Sequence, residues 1–213
     1  MLVCALDWGL GHASRSSVLV RSWVDQGASV TLAGNGRSLA FWHKEFPGLP
    51  CRVLPDYGIR YAPGPLLLPS LLLSLPRLAS VRSAEYRLVQ SWRNDFDAVV
   101  SDNRFGCVLR GKRSIFLTHQ LHLAAPSWLK RCEPFAEWTM ARLLAPFDEI
   151  WIPDHAQEGL SGKLGHPLHP ERFSALRWIG PLSRFSDADD VPSPWSGPWD
   201  VLGLVSGPEP SRT

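Results

Sequence analysis

Three features of the sequence predict an α/β fold built on a parallel sheet with helices on both faces. Short apolar runs of β-forming residues recur along the chain, the segments between them are long enough for helices, and the first run leads into a glycine-bearing loop followed by an amphipathic stretch. With 213 residues, 45% of them hydrophobic, the chain can bury one real core and has little left for a second.

The apolar runs fall at residues 2–6, 29–33, 52–54, 98–101, 114–118, 149–152 and 177–179. Between the first two, Leu19 with Trp23 and Val20 with Val24 are spaced four apart in one stripe, while Arg15, Arg21 and Asp25 stay polar, as an amphipathic helix requires. A second helix is expected over residues 77–92 and a third over 135–144, closed by Pro146. The composition then turns to Asp, Pro, Ser and Gly over residues 186–199, which cannot form a packed element and reads as an interdomain linker. Residues 200–205 make one further apolar strand, followed by Ser206-Gly207-Pro208-Glu209-Pro210. The resulting division is a domain over 1–185, a linker over 186–199, and over 200–213 the first strand and loop of a second domain that is cut short. The alternative is that the last strand joins the edge of the first sheet.

Charge excludes one class of partner. The formal net charge of +2 comes from 22 basic and 20 acidic residues spread along the chain, with no basic block of the kind that binds nucleic acid. Cys4, Cys51, Cys107 and Cys132 are far apart and form no C-x-x-C pair, so they are expected to be reduced core thiols of a cytoplasmic protein. The N-terminus lacks the basic flank and length of a signal peptide. The longest apolar stretch, Leu66 to Leu78, is broken by Pro69, Ser70, Ser74 and Pro76 and falls short of the ~20 apolar residues of a membrane span. It reads as a buried helix start or loop, or as a patch making peripheral contact with the inner face of the membrane.

The segment richest in chemistry is Asp7-Trp8-Gly9-Leu10-Gly11-His12-Ala13-Ser14-Arg15, between the first strand and the first helix. Glycines there let a ligand approach the backbone, and a helix N-terminus offers free N–H groups. In an open α/β sheet ligands collect at the carboxyl ends of the strands, where this loop emerges. It is a poor dinucleotide fingerprint: Ser14 replaces the third glycine, and the second strand leads into Gly34-Asn35-Gly36 rather than an acid, which disfavours NAD. At a helix N-terminus the dipole disfavours an imidazolium, so His12 is expected to offer a lone pair to a hydroxyl proton.

The strand–Gly9-x-Gly11-His12–helix pattern resembles the first glycine loop of GT-B glycosyltransferases related to the lipid-linked N-acetylglucosaminyl transferase of peptidoglycan synthesis. The resemblance extends to Val99-Val-Ser-Asp-Asn-Arg-Phe-Gly106, to Ile115-Phe-Leu-Thr-His119-Gln120, to Trp178-Ile-Gly-Pro181 and to Ser206-Gly-Pro-Glu209; Trp8 departs from it. It implies a Rossmann-like N-terminal domain of a GT-B fold that grips the acceptor, facing a second domain that grips a nucleotide sugar, with no cofactor and no obligatory metal. On that resemblance His12 is the base, Gly9, Gly11, Asp102, Asn103 and His119 line the acceptor side, and Ser206 and Gly207 begin the donor-phosphate loop. The implied reaction moves a sugar, N-acetylglucosamine by the same resemblance, to a glycan or lipid-linked acceptor, and the chain alone is expected to be inactive. A non-catalytic subunit of a split transferase and half of a sugar-nucleotide epimerase are the alternatives.

Weaker patterns complete the inventory. His119-x-x-His122 and His166-x-x-His169 have spacings a metal could use but no accompanying acid or thiol pattern. His122 and His169 are expected at the surface or in loops, and Asp154 and Glu158 at a solvated helix start. Of ten tryptophans, Trp8 and Trp128 are candidates for stacking on sugar rings, whereas Trp23 and Trp138 are expected in the core.

Overall fold

A parallel strand covered on both faces must be apolar throughout, and Leu2–Ala5, the first strand β1, is buried at all four positions. In the computed structural model, which describes residues 1–58, 67–122, 127–157 and 159–184, it lies inside a seven-stranded sheet. The chain continues through α1 (Gly11–Asp25), β2 (Thr31–Gly34), α2 (Gly36–Glu45), β3 (Cys51–Val53), α3 (Leu67–Ser91), β4 (Ala98–Asp102), β5 (Arg113–Leu117), α4 (Glu133–Leu144), β6 (Glu149–Ile152) and β7 (Ala175–Trp178). The order is β3-β2-β1-β4-β5-β6-β7 with every pairing parallel. The Rossmann-like α/β architecture expected from the sequence is therefore present.

Strand alternation divides the core. Val3, Ala5 and Leu32 face α1 and α2, packing on Ala13, Val20 and Trp42. Leu2, Cys4, Ala33 and Val99 face the other way, onto Val89 of α3, and Phe116, Ile150 and Ile152 meet Ala141 and Leu144 of α4. Val20 is wholly buried, worth roughly 1.5–3 kcal/mol against leaving it exposed, and with Ala13 and Trp23 it holds α1 to the sheet.

The helix α2 has no counterpart among the helices expected from the sequence, because Ser38 and Trp42 are its only buried residues and no side chain of its own caps it. Its cap comes from the loop after β1. The Asp7 carboxylate accepts hydrogen bonds from the Arg37 N–H (3.2 Å), the Ser38 N–H (3.0 Å) and the Ser38 hydroxyl (3.1 Å). Gly36 has φ +50°, and a Cβ there would collide with that carboxylate. Trp42 adds a tie to α1, its indole N–H donating to the Ala13 carbonyl at 3.1 Å.

Several expectations change. Trp138 is 44% exposed and not a core residue, because α4 turns Glu137, Ala141 and Leu144 inward instead; Trp23 does pack against the core. Cys132 is exposed beside α4, Cys51 is half-buried, and Cys4 and Cys107 are buried; all four thiols are unpaired. Helix α3 starts at Leu67, and Leu73 and Leu75 within it are exposed rather than buried. Leu66, the linker over 186–199, the strand over 200–205, Ser206 and Gly207 lie outside the described residues. Among the described residues no helix is long and apolar enough to cross a membrane.

Candidate functional site

The strand order reverses between β1 and β4: the chain builds outward through β2 and β3, then returns to the other side of β1 with β4. Loops that leave adjacent strands toward opposite faces open a crevice at their carboxyl ends. His12 follows β1 at the start of α1, and Asp102 closes β4. Their register is fixed by the ladder, which sets Ala5 beside Asp102 and lets the Leu6 N–H donate to the Asp102 carbonyl at 3.0 Å.

Asp102 is 1% exposed and gathers the polar groups of this crevice. Its Oδ1 lies 2.7 Å from His12 Nδ1, and its Oδ2 accepts from Arg15 Nε and from the Ser16 hydroxyl, both at 2.7 Å. Arg15 Nη2 also donates to Oδ1. Burial works against the Asp102 charge, but the Arg15 guanidinium and the hydrogen bonds from His12 and Arg15 outweigh it and hold the carboxyl below its ordinary range. An ionised carboxylate only accepts, so His12 Nδ1 carries a hydrogen toward Asp102. Arg15 Nη2 at 3.2 Å and Asn103 Nδ2 at 3.4 Å from that same Nδ1 are then close approaches between donors rather than hydrogen bonds. Among the described residues His12 Nε2 has no partner.

His119 joins from the end of β5, its Nδ1 2.5 Å from Arg15 Nη1. Burial first, then the charges of Arg15 and His12, lower its pKa against the opposing pull of Asp102. Asn103 sits at φ +55° in the turn after β4, a conformation that asparagine tolerates better than most residues. Gly9 is at φ +84°, which explains a glycine there, whereas Gly11 has an ordinary φ and open space where a Cβ would project. The structure thus brings His12, Asp102, Asn103 and His119 together. Two members of the cluster, Arg15 and Ser16, were not singled out from sequence, yet they follow His12 by three and four residues and share its helix face.

Beneath this crevice a buried cation braces the strand ends. Arg104 is fully buried, and its guanidinium donates to the Ala5 carbonyl (2.8 Å), the Pro55 carbonyl (3.2 Å), the Asn35 side-chain oxygen and the Glu85 carboxylate. Glu85 also accepts from the Tyr57 hydroxyl (2.8 Å) and the Gly106 N–H (2.9 Å). One side chain so fastens the segments after β1, β2 and β3 to α3.

Other sequence candidates fall elsewhere. His122 lies in the loop after β5 and is buried there, with Nε2 3.8 Å from Glu133. The His166 ring nitrogens lie 2.8 and 3.1 Å from the Gly162 and Ala156 carbonyls, and among the described residues no group of three His, Cys, Asp or Glu could hold a metal ion. Asp154 is buried rather than solvated: it accepts backbone N–H bonds from His155, Leu160 and Ser161, plus the Ser161 hydroxyl, and these bonds lower its pKa. Its role is to fold the loop after β6. Trp8 and Trp128 are both exposed. A groove of about 890 Å³ lined by Arg82, Tyr86, Arg113 and Glu149 opens at the amino ends of β5 and β6, away from the crevice.

The parallel seven-stranded sheet with its flanking helices is a Rossmann-like α/β fold that matches the domains of GT-B glycosyltransferases. Among solved structures, UGT89C1 of Arabidopsis thaliana in complex with UDP-L-rhamnose superposes with a TM-score of 0.55 at 15% identity, covering 90% of this chain and 55% of its own. UGT73P12 of Glycyrrhiza uralensis, complexed with glycyrrhetinic acid 3-O-monoglucuronide, gives 0.52 at 14% identity over 89% and 50%. MurG of Acinetobacter baumannii gives only 0.44 at 12% identity over 73% and 41%, a likeness too slight to carry an argument. No protein-family profile matches the sequence, and no curated protein matches it. The chain spans about half the length of these two UGT structures.

Proposed function

We propose that this chain is the acceptor-binding domain of a glycosyltransferase that moves a sugar from a nucleotide sugar to a hydroxyl group, with His12 as the base. The observation that carries the reading is the 2.7 Å contact of His12 Nδ1 with buried Asp102 at the strand reversal, which leaves Nε2 as the ring nitrogen able to take a proton. In the step we envisage, Nε2 removes the acceptor O–H proton as that oxygen bonds to the anomeric carbon. The bond from that carbon to the diphosphate oxygen breaks, and the nucleoside diphosphate departs with the electron pair. Asp102 orients His12 and offsets the charge the imidazole gains. Gly9, Gly11, Asn103 and His119 line the acceptor side; Ser206 and Gly207 begin the donor-phosphate loop of a second domain, without which the chain is inactive. N-acetylglucosamine as the sugar and a glycan or lipid-linked molecule as the acceptor are the finer form of this reading. It rests on the loop resemblance.

The test is turnover of nucleotide sugars, with and without added acceptors, by the chain joined to a donor-binding domain. Acceptor-dependent release of nucleoside diphosphate, reduced roughly 10²–10⁴-fold by His12→Ala with folding intact, is the expected result. Undiminished turnover in His12→Ala removes the base from the mechanism, and consumption of the sugar nucleotide without any acceptor favours an epimerase.

A further inference from the structure

Arg15 binds the His119 ring and the carboxylate that holds His12, and each contact restricts where a ring hydrogen can sit. We propose that Arg15 is a positioning residue that holds His12 and His119 in opposite tautomers, so that His12 presents a bare Nε2 while His119 presents an Nε2–H donor to the ligand. This rests on the glycosyl-transfer reading for its purpose but not for its geometry.

A guanidinium has five N–H donors and no acceptor. Nη1, 2.5 Å from His119 Nδ1, can only donate, so that nitrogen must hold the lone pair and the ring hydrogen is displaced to Nε2. At His12 the partner is reversed. Asp102 can only accept, so the hydrogen stays on Nδ1 and the lone pair goes to Nε2. The same guanidinium enforces the second assignment as well as the first, because its Nε and Nη2 grip the two Asp102 oxygens side by side and keep Oδ1 facing His12. Arg15 and Asp102 side chains are 13% and 1% exposed, so water does not easily substitute for either contact.

The pattern needs an arginine. The planar fork reaches a carboxylate on one edge and an imidazole on another, whereas a lysine ammonium is a single point that cannot span both. The cation also opposes protonation of His119, in line with that ring's lowered pKa, so His119 is a neutral donor at physiological pH. The consequence for selectivity is concrete. Opposite His119 the ligand must offer an oxygen lone pair, such as a sugar hydroxyl, a carbonyl or an anionic oxygen, and opposite His12 it must offer an O–H. A ligand that places a second donor at His119 is disfavoured.

Long-range ¹H–¹⁵N NMR of the imidazoles tests this directly, with His12→Gln and His119→Gln used to assign the rings. We expect His119 to show an unprotonated Nδ1 and a protonated Nε2, and His12 the reverse shift pattern. In Arg15→Lys the single-tautomer pattern of His119 should be lost while circular dichroism is unchanged. A wild-type His119 with its hydrogen on Nδ1, or both rings in the same tautomer, overturns the proposal, and this measurement stands even if the variant fails to fold. A folded Arg15→Lys with unaltered His119 shifts overturns the role of Arg15. No sugar nucleotide enters the experiment, so opposite tautomers in a protein that transfers no sugar would refute the glycosyl-transfer reading alone.

Discussion

Replacing Glu85 with leucine would leave the Arg104 guanidinium fully buried without its counter-ion. Burial disfavours that cation, and the Glu85 charge and hydrogen bond are the main forces that keep it charged. Removing one partner of a buried pair costs about 3–5 kcal/mol. Two further donors, the Tyr57 hydroxyl and the Gly106 N–H, lose their acceptor, each worth roughly 1–3 kcal/mol if nothing replaces it. These losses overlap, since all three donors share one carboxylate, so the upper end of the ion-pair range, about 5 kcal/mol, is the expected total. With a urea dependence of about 2 kcal/mol per molar, the unfolding midpoint followed by tryptophan fluorescence should fall by about 2.5 M. The double variant Glu85→Leu/Arg104→Met, which buries no charge, should regain much of that loss. A single variant whose midpoint falls by less than about 0.5 M would refute the view that this pair braces the strand ends. A double variant as unstable as the single one would assign the effect to packing instead.

Three further outcomes can be measured with the same unfolding assay. Because the folded-state pKa of Asp102 is depressed, the unfolded chain takes up its proton first. The stability Asp102 contributes is present above its ordinary pKa of about 3.9 and is lost as pH falls through the lower folded value, and Asp102→Asn should flatten that acid limb. His119 is also depressed, with Arg15 and Asp102 as the charged groups and His12 as the titratable group facing it, so stability should decline as pH drops below about 6.5. His119→Asn should remove that slope, and an unchanged slope would place its cause elsewhere. In Gly106→Ala the new Cβ would stand 2.6 Å from the Arg82 carbonyl oxygen and 2.7 Å from the Glu85 carboxylate, so a loss of about 1–3 kcal/mol is expected; a neutral result would mean that α3 shifts freely.

What the sequence determined by itself was the layer architecture and the location of the crevice. Seven apolar runs became the seven strands, displaced by a residue or two; the inner ones are plainest, because a strand buried on both faces is written as a continuous apolar word that needs no distant partner to be read. The glycine loop and His12 were legible for a similar reason, since a strand-to-helix turn is a local object. Only the tertiary structure decided what depends on residues far apart in the chain. The cap of α2 is supplied by Asp7, and Asp102 meets His12 through strand pairing. Arg104 and Glu85, two charged residues that sequence alone would place in solvent, are buried because each satisfies the other along with backbone groups from three separate segments. Asp154 was misplaced for the same reason: whether a polar side chain is buried depends on the hydrogen-bonding groups that surround it, and those are brought together only when the chain has folded.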